Sequence, residues 1–587
     1  MNYNLNKLTE QDEVATTSTY TALKNLMQLV SNEKTNMIVA LVAILLNSVF
    51  NLVAPLLIGY TIDTYIVHKQ YQGVLLFSGI LAVIYLLALG TSYLHTKLMG
   101  EVGQRTLFNV RNTVFNKIQQ LPIAFFNQNQ AGDLISRVNN DTEKLNMFFS
   151  QALMQFVGSV FMIAGAGVFL LIINPRLGLA GLIPALLILF FTKVFSPWVK
   201  KKNAESMKVM GGLSAEIQES LHNFKVIIAF NRRDYFRKRF EEVNEKTYRA
   251  AIWADLANTL FVPFYTWCGS VAQLIVLGYG IYLISTTAFS IGLLVSYLSY
   301  IVLFYNPLRH VAALWANFQM SMAGWERISE ILALESNLVQ IPAATAATGE
   351  AVVEFRDVHF GYPGGTEILH NISFELEKGK TYALVGPTGG GKTTTASLIA
   401  RLYDPTSGTV LLNGKDIRTY SDAARTAQIG FILQEPFLFS GTVKDNILYG
   451  NEQYVNHTDE ELIAVIQSAN LEKLVNVFEN GLETPVSGND SMSLGQKQLI
   501  AFIRAVLRQP ALLILDEATA NIDTVTEQVL EDILAHLPAT TTRVIIAHRL
   551  NTIENADEIY FVNSGEITRA GSFQNAIDKL LHGIRTS

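Results

Sequence analysis

Six long apolar stretches before about residue 320 constrain this chain more than any other feature. A hydrocarbon core about 30 Å thick takes roughly 20 helical residues at a rise of 1.5 Å each. Stretches that reach or approach this length run near Met37–Tyr60, Gly73–Tyr93, Ser150–Ile173, Leu177–Trp198, Leu256–Leu283 and Ser290–Ala313. Asn174-Pro175 and Ser285-Thr286-Thr287 read as tight turns, so the third and fourth spans form a hairpin, as do the fifth and sixth. Two long polar insertions, about His95–Phe149 and Lys200–Asp255, then share the opposite side. Lys200–Arg249 holds twelve Lys or Arg residues, whereas the short loops hold little beyond Lys69 and Arg176. The positive-inside tendency puts the insertions and both termini in the cytoplasm. Leu107, Val110, Val114, Ile118 and Leu121 recur at three- and four-residue intervals, so the insertions read as helices that carry the spans into the cytosol.

Composition supports this division. Half of the 587 residues are hydrophobic and 16% are charged, which excludes a disordered chain and disagrees with a wholly soluble one. The 44 basic and 50 acidic residues leave a net charge of -6, which gives no reason to expect nucleic acid as a partner. One cysteine, Cys268, allows neither an internal disulfide nor a cysteine-based zinc site. Small residues without a hydrophobic period fill Ile341–Gly349 and read as a linker. The expected organisation is a membrane domain over 1–340, a linker over 341–350 and a soluble domain over 351–587.

The soluble part is built to hold a nucleotide. Thr381–Val385 reads as a strand, Gly386-Pro-Thr-Gly-Gly-Gly391-Lys392-Thr393 follows it, and Thr394–Tyr403 reads as a helix. Glycines let successive N–H groups turn inward around a phosphate, the helix N-terminus adds the positive end of its dipole, and Lys392 adds a cation. Thr393 can place its hydroxyl on Mg²⁺. Ala511–Leu515 is a continuous apolar run of the kind buried on both faces of a parallel sheet, and Asp516-Glu517 ends it. Taken alone, the acidic pair also suits a solvated strand end. Coupled to the upstream loop, Asp516 suits Mg²⁺ and Glu517 a water aligned on the γ-phosphate. A further β-rich run, Arg543–Ala547, ends in His548, which can hydrogen-bond a γ-phosphate, although a lone histidine is usually structural.

With these residues in place, the soluble part resembles the nucleotide-binding domain of ATP-binding cassette transporters, and the six-span part resembles their exporter type. The resemblance covers about residues 20 to 580. Gly386–Thr393 is similar to the phosphate loop, Leu433-Gln434 to the Q-loop and Ser493-Leu-Gly-Gln496 to the signature loop. Leu512–Glu517 is similar to the Walker B strand, Ala520-Asn-Ile-Asp523 to the D-loop and His548 to the switch histidine. The fold class implied is an all-α membrane domain of six helices followed by an α/β P-loop nucleotide-binding domain.

The resemblance implies ATP and Mg²⁺ as cofactors. Tyr362 would stack on adenine, while Gly386, Thr388, Gly389, Gly390, Gly391, Lys392, Thr393 and Thr394 would surround the phosphates. Thr393, Gln434 and Asp516 would hold the metal. Glu517, His548 and Gln434 would carry hydrolysis, and Ser493, Gly495, Gln496 and Asp523 would complete the nucleotide contacts. Pro122–Phe126 and Ser220–Phe224 would lie in or near cytosolic coupling helices.

In such transporters each ATP lies between the phosphate loop of one cassette and the signature loop of another, so a chain with one cassette implies a second subunit. The usual Leu-Ser-Gly-Gly-Gln appears here as Met492-Ser493-Leu494-Gly495-Gln496. An isobutyl group where backbone should approach a γ-phosphate weakens that contact, although the helix expected over Ser493–Arg508 still offers its N-terminus. This one-sided change resembles heterodimeric bacterial multidrug exporters and favours a heterodimer over a homodimer in the cell membrane. Aromatic residues on the last two spans, among them Phe261, Phe264, Tyr265, Trp267, Tyr279, Tyr282, Tyr297, Tyr300, Phe304 and Tyr305, suit hydrophobic or amphipathic cargo, and they equally suit lipid-facing packing. Asn47, Asn51, Gln155, Asn258 and Gln273 lie within the spans, where polar groups seek a neighbouring helix or a watery cavity. Export of such small molecules is the first expectation. A lipid flippase is the second, and a nucleotide-gated channel or regulator is a third.

Overall fold

The structure, a computed structural model, describes residues 3–5, 26–286, 289–342, 351–487, 492–516, 524–546, 554–571 and 573–582. The chain forms two compact units, one of Glu13–Ile118 with Gly132–Ala333, the other of Met1–Asp12, Gln119–Ala131 and Leu334–Ser587.

The first unit is helical. Among its long elements are α1 (Lys34–Thr61), α2 (Tyr71–Gln119), α3 (Leu153–Ile173), α4 (Pro175–His222), α5 (Phe261–Thr286), which the helix Arg233–Thr259 precedes, and α6 (Ile291–Ala333). Among the described residues, six helical stretches are long and apolar enough to cross a membrane, matching the six apolar runs. Leu75, Leu89, Ile172 and Phe190 lie exposed on them, as lipid-facing side chains do. The 49 residues of α2 and 48 of α4 outrun any bilayer, so these helices continue past their apolar segments, as the three- and four-residue spacing predicts. The Asn174-Pro175 turn is a helix cap: Asn174 Oδ1 accepts from Leu177 N at 3.1 Å, and Pro175, which has no N–H to leave unpaired, takes the first helical position. Helix α5 runs through Ser285 and Thr286, and Thr287 lies outside the described residues.

Side chains of α6 are sewn to its neighbours through backbone carbonyls. Tyr300 donates to Leu52 O at 2.7 Å and Ser296 to Pro55 O at 2.7 Å, both on α1. Tyr297 reaches Leu170 O at 2.6 Å and Asn174 O at 2.8 Å, and Tyr305 donates to Gly181 O at 2.9 Å. At the second residue of α6, a Cβ on Gly292 would come within 2.0 Å of Gly59 O, so only glycine permits the approach of α1 and α6 there. Asp63 completes this end by accepting from Gly292 N at 2.7 Å and from the Ser290 hydroxyl.

The second unit carries the sheets. Strands β1 (Ala351–Gly361), β2 (Glu367–Glu377), β3 (Thr381–Val385), β4 (Ser407–Leu412), β5 (Lys415–Asp416) and β6 (Ile429–Ile432) come first. They are followed by β7 (Gly441–Thr442), β8 (Pro485–Val486), β9 (Leu512–Asp516), β10 (Thr542–Ile546), β11 (Glu558–Asn563) and β12 (Glu566–Arg569). An antiparallel sheet has the order β2-β1-β4-β5, and the central sheet has the order β12-β11-β3-β10-β9-β6. In the central sheet β11, β3, β10, β9 and β6 are parallel, and β12 is antiparallel at one edge. Every residue of β3 and β9 is buried, as their continuous apolar sequences require. Parallel strands collect their carboxyl ends on one edge, and the phosphate-loop and Walker-type residues follow those ends.

The helix Ile123–Gln128 also belongs to this unit. It buries Ala124 and Phe125, while Asn127 and Gln128 reach Tyr403 and Pro363. Tyr3, fully buried, donates its N–H to Gln128 Oε1 at 2.8 Å and its hydroxyl to Glu335 O at 3.0 Å, fastening the N-terminal residues beside that helix.

Candidate functional site

Strand β3 ends at Val385, and the loop Gly386–Gly391 leads into helix α7 (Lys392–Ile399). Gly386, Gly389 and Gly391 have φ of 147°, 81° and 112°, conformations that L side chains rarely adopt. A Cβ on Gly386 would lie 1.9 Å from Val562 O and one on Gly390 2.6 Å from the same atom, so the loop can lie against β11 only without side chains. Lys392 is buried, and its Nζ donates to Gly386 O at 2.8 Å and Pro387 O at 3.1 Å. The loop thus holds the ammonium at its own rim. Thr388 and Gly389, at the crest, are exposed.

Asp516 is the last ladder residue of β9, paired with Ile546 of β10, and is buried. The sequence reading placed this acid just beyond the strand; the strand runs one residue further, which sinks the carboxylate into the sheet edge. Thr393 Oγ1, at the start of α7, lies 3.5 Å from Asp516 Oδ1 although β10 separates β3 from β9. A hydroxyl and a buried carboxylate are the hard oxygen donors that Mg²⁺ takes alongside phosphate and water, so the residues present fit that ion. Gln434 follows β6 by two residues on the same edge, with an exposed side chain.

Tyr362 lies beside the loop. Its hydroxyl is 3.2 Å from Thr394 Oγ1, and its ring meets Phe360 and Tyr403 edge-on, each at 5.1 Å and 82°. Tyr403 in turn accepts from Asn127 Nδ2 at 2.8 Å. Burial pushes the Tyr403 phenol above its ordinary pKa, and the Asn127 hydrogen bond offsets part of that rise. The sequence reading found Tyr362 but neither Tyr403 nor Asn127. These two stand 276 positions apart, and no local pattern links them.

The segment Ser493–Gln496 forms the start of helix α8 (Leu494–Val506). Ser493 N donates to Gln496 Oε1 at 3.0 Å, and Gln496 N donates to Ser493 Oγ at 3.2 Å, a reciprocal cap that satisfies two of the four N–H groups a helix start leaves open. Leu494 and Gly495 take the first two helical positions, so the isobutyl group stands at the N-terminus itself. The helix closes at Val506, two residues short of the expected Arg508. Glu517, Asp523 and His548 lie outside the described residues. The structure brings Gly386–Gly391, Lys392, Thr393, Thr394, Tyr362 and Asp516 together through contacts, and puts Gln434 on the same sheet edge.

In the helical unit, an ionic cluster escaped the sequence reading. Buried Arg137 pairs with Asp133 at 3.0 Å and Glu330 at 2.7 Å, while fully buried Asp141 meets Lys144 at 2.7 Å and Arg327 at 3.3 Å. The four-residue spacing of 133, 137 and 141 was its sequence signal. The short helix Phe224–Ala229 starts where the expected segment Ser220–Phe224 ends, and leaves Phe224, Val226, Ile228 and Phe230 exposed. The aromatic residues of the last spans divide: Tyr265, Tyr297, Tyr300 and Tyr305 are buried in contacts between helices, whereas Trp267 and Tyr282 are exposed. Phe191, Phe195, Phe261, Phe264, Tyr265 and Trp267 form one connected series of ring contacts between α4 and α5.

Residues 37–308 match the model of the ABC transporter transmembrane region, and residues 369–520 match that of the ABC transporter family. An uncharacterized ABC transporter ATP-binding protein of Bacillus subtilis, YfiC, is 34% identical over 562 residues, 94% of this chain and 92% of the relative. A fatty acid ABC transporter ATP-binding/permease protein of Mycobacterium tuberculosis is 33% identical over 491 residues, 83% of this chain and 77% of its own. A probable multidrug resistance ABC transporter ATP-binding/permease protein of Bacillus subtilis, YheH, is 33% identical over 479 residues, 80% and 70% of the two chains.

Proposed function

The chain belongs to the ABC transporter family, and we propose that it works as one half of a dimeric, heterodimeric exporter that moves hydrophobic or amphipathic small molecules of the multidrug type out of the cell. As a multi-pass membrane ATPase of this family it couples ATP to movement across the bilayer. The observation that carries the reading is the joining, in one chain, of six spans to a phosphate loop whose Thr393 faces Asp516. Relatives named for multidrug resistance and for fatty acid transport support an apolar or amphipathic cargo.

In this reading Gly386, Thr388, Gly389, Gly390 and Gly391 turn their N–H groups toward the phosphates of ATP, with Lys392 adding positive charge and Thr394 bracing Tyr362 beside adenine. Thr393, Gln434 and Asp516 would hold Mg²⁺, which supplies charge neutralisation between the phosphates. Glu517 aligns the water, Gln434 supports it and His548 contacts the γ-phosphate. Ser493, Gly495, Gln496 and Asp523 face the nucleotide of the partner subunit, where Leu494 impairs one composite site and leaves the other competent. Closure of the two nucleotide-binding domains draws in the short helices Ile123–Gln128 and Phe224–Ala229 and turns the spans from inward-open to outward-open. Both termini and the nucleotide-binding domain are cytoplasmic, consistent with the basic residues of the long insertions.

Inside-out vesicles bearing the chain and its partner test the function. Uptake of a fluorescent amphipathic drug should require ATP and stop on Glu517→Gln. A lipid flippase is the second reading, favoured by relatives named ATP-dependent lipid A-core flippase at 30% identity. It predicts movement of labelled lipid between leaflets that drugs do not stimulate.

A further inference from the structure

After α2, and again after α6, the chain passes into the second unit, first through the helix Ile123–Gln128 and then through residues 334–340. Both segments are held by the turn that follows α7, the helix that begins with Lys392 and Thr393 of the phosphate loop. Buried Arg401 in that turn donates from Nη2 to Val339 O at 3.0 Å and from Nε to Asp404 Oδ1 at 3.0 Å. Two residues on, Tyr403 accepts from Asn127 Nδ2 at 2.8 Å. The end of α7 thus carries two separate arms.

Residues 3–5 join the far ends of these arms. Tyr3 and Leu5 are both fully buried. Toward the helix, Tyr3 N donates to Gln128 Oε1 at 2.8 Å, Leu5 N donates to Asn129 Oδ1 at 3.1 Å, and Asn129 Nδ2 returns a hydrogen bond to Tyr3 O at 2.8 Å. Toward residues 334–340, the Tyr3 hydroxyl accepts from Asn337 N at 2.9 Å and holds its own proton between Glu335 O at 3.0 Å and Asn337 Oδ1 at 3.1 Å. Burial pushes this phenol above its ordinary pKa, with the Asn337 N–H offsetting part of the rise, so the hydroxyl keeps the proton it donates. The hydrogen bonds close a ring that runs from the end of α7 through Val339 and Asn337 to Tyr3, and back through Asn129 and Asn127 to Tyr403. A chain of bonds open at one end lets its parts drift separately, whereas a closed one makes each part move with the others. We propose that Tyr3 is a positioning residue for energy coupling: by closing this ring it makes the helix Ile123–Gln128, residues 334–340 and the end of α7 one body. A shift of the phosphate-loop helix is then passed to the chain of α2 and of α6 together. The proposal rests on the exporter reading and deepens it by naming a residue, outside the nucleotide-contacting positions, through which ATP acts on the spans.

The test uses the full-length chain with its co-purified partner in lipid nanodiscs, followed by backbone hydrogen exchange. Tyr3→Phe deletes the bonds to Glu335 and Asn337 and keeps those to the helix side, whereas Asn129→Ala deletes bonds on the helix side and keeps those to Glu335 and Asn337. Each substitution should speed exchange about fivefold, the worth of one hydrogen bond, in residues 122–130 and in residues 334–341 alike. ATP with vanadate should change exchange along α2 and α6 of the unaltered complex. Tyr3→Phe should shrink that change by about twofold or more, with the ATP concentration for half-maximal turnover unaltered. Loosening confined to the side that lost its bonds overturns the proposal, and so does a response of α2 and α6 as large in Tyr3→Phe as in the unaltered complex. Where one variant does not fold, the other decides by the same comparison of the two segments. An unaltered complex without ATP turnover refutes the exporter reading and the coupling role with it, whereas turnover with an undiminished response in Tyr3→Phe refutes only the role of Tyr3.

Discussion

Gly386 and Leu494 are two residues at which the absence or presence of a side chain bears on the chemistry. At Gly386, φ of 147° and the Val562 carbonyl 1.9 Å from where a Cβ would lie leave no room for alanine. Gly386→Ala should strain the loop by about 1–3 kcal/mol and weaken ATP binding, measurable by titration with a fluorescent nucleotide. Unchanged affinity would mean that the loop yields. At Leu494 the change runs the other way. Leu494→Gly should raise steady-state ATP turnover of the complex about tenfold by reopening backbone approach at the impaired site. No rise would show that the isobutyl group is not what limits that site. The motif residues were legible because a phosphate loop needs glycines and a lysine in fixed order, whatever surrounds them. The burial of Asp516 was not, since it follows from its pairing with Ile546, a residue 30 positions away in the chain.

The elements show the same contrast. Six spans were legible because a bilayer demands about 20 apolar residues from each, and the extension of α2 followed from its repeating Leu, Val and Ile positions. The tyrosine stitching of α6 was illegible: Tyr300 finds its carbonyl 248 positions away and Tyr297 finds Leu170 127 positions away. The aromatic residues of the last spans, which suit cargo and lipid-facing packing alike, include tyrosines that fasten helices together. The helix Ile123–Gln128 overlaps Pro122–Phe126, the segment expected in or near a coupling helix, and its grip on Tyr403 left no sign in the sequence. Asn127→Ala should leave the buried Tyr403 hydroxyl without that donor, at a cost of about 1 kcal/mol, and loosen the hold of the helix beside Tyr362. The expected readout is nucleotide affinity near that of the unaltered protein with less cargo moved per ATP hydrolysed. An unaltered ratio of transport to hydrolysis would exclude Asn127 from coupling.

At the scale of the molecule, orientation and partnership complete the account. Cys268 is the sole cysteine and is buried, so single introduced cysteines report topology without interference. Lys69→Cys should react with a membrane-impermeant maleimide on intact cells, and Lys208→Cys should react only after permeabilisation. The reverse pattern would invert the proposed orientation. The central claim is that ATP cleaved with this chain's Lys392 and Glu517 drives an amphiphile across the bilayer. Proteoliposomes containing the complex test it most directly, with ATP hydrolysis and movement of a fluorescent amphiphile recorded together. Both should be present in the unaltered complex, and with Lys392→Ala or Glu517→Gln hydrolysis should fall by about 100-fold or more and transport should cease with it. Transport that persists in either variant, or hydrolysis that proceeds undiminished, would contradict the account.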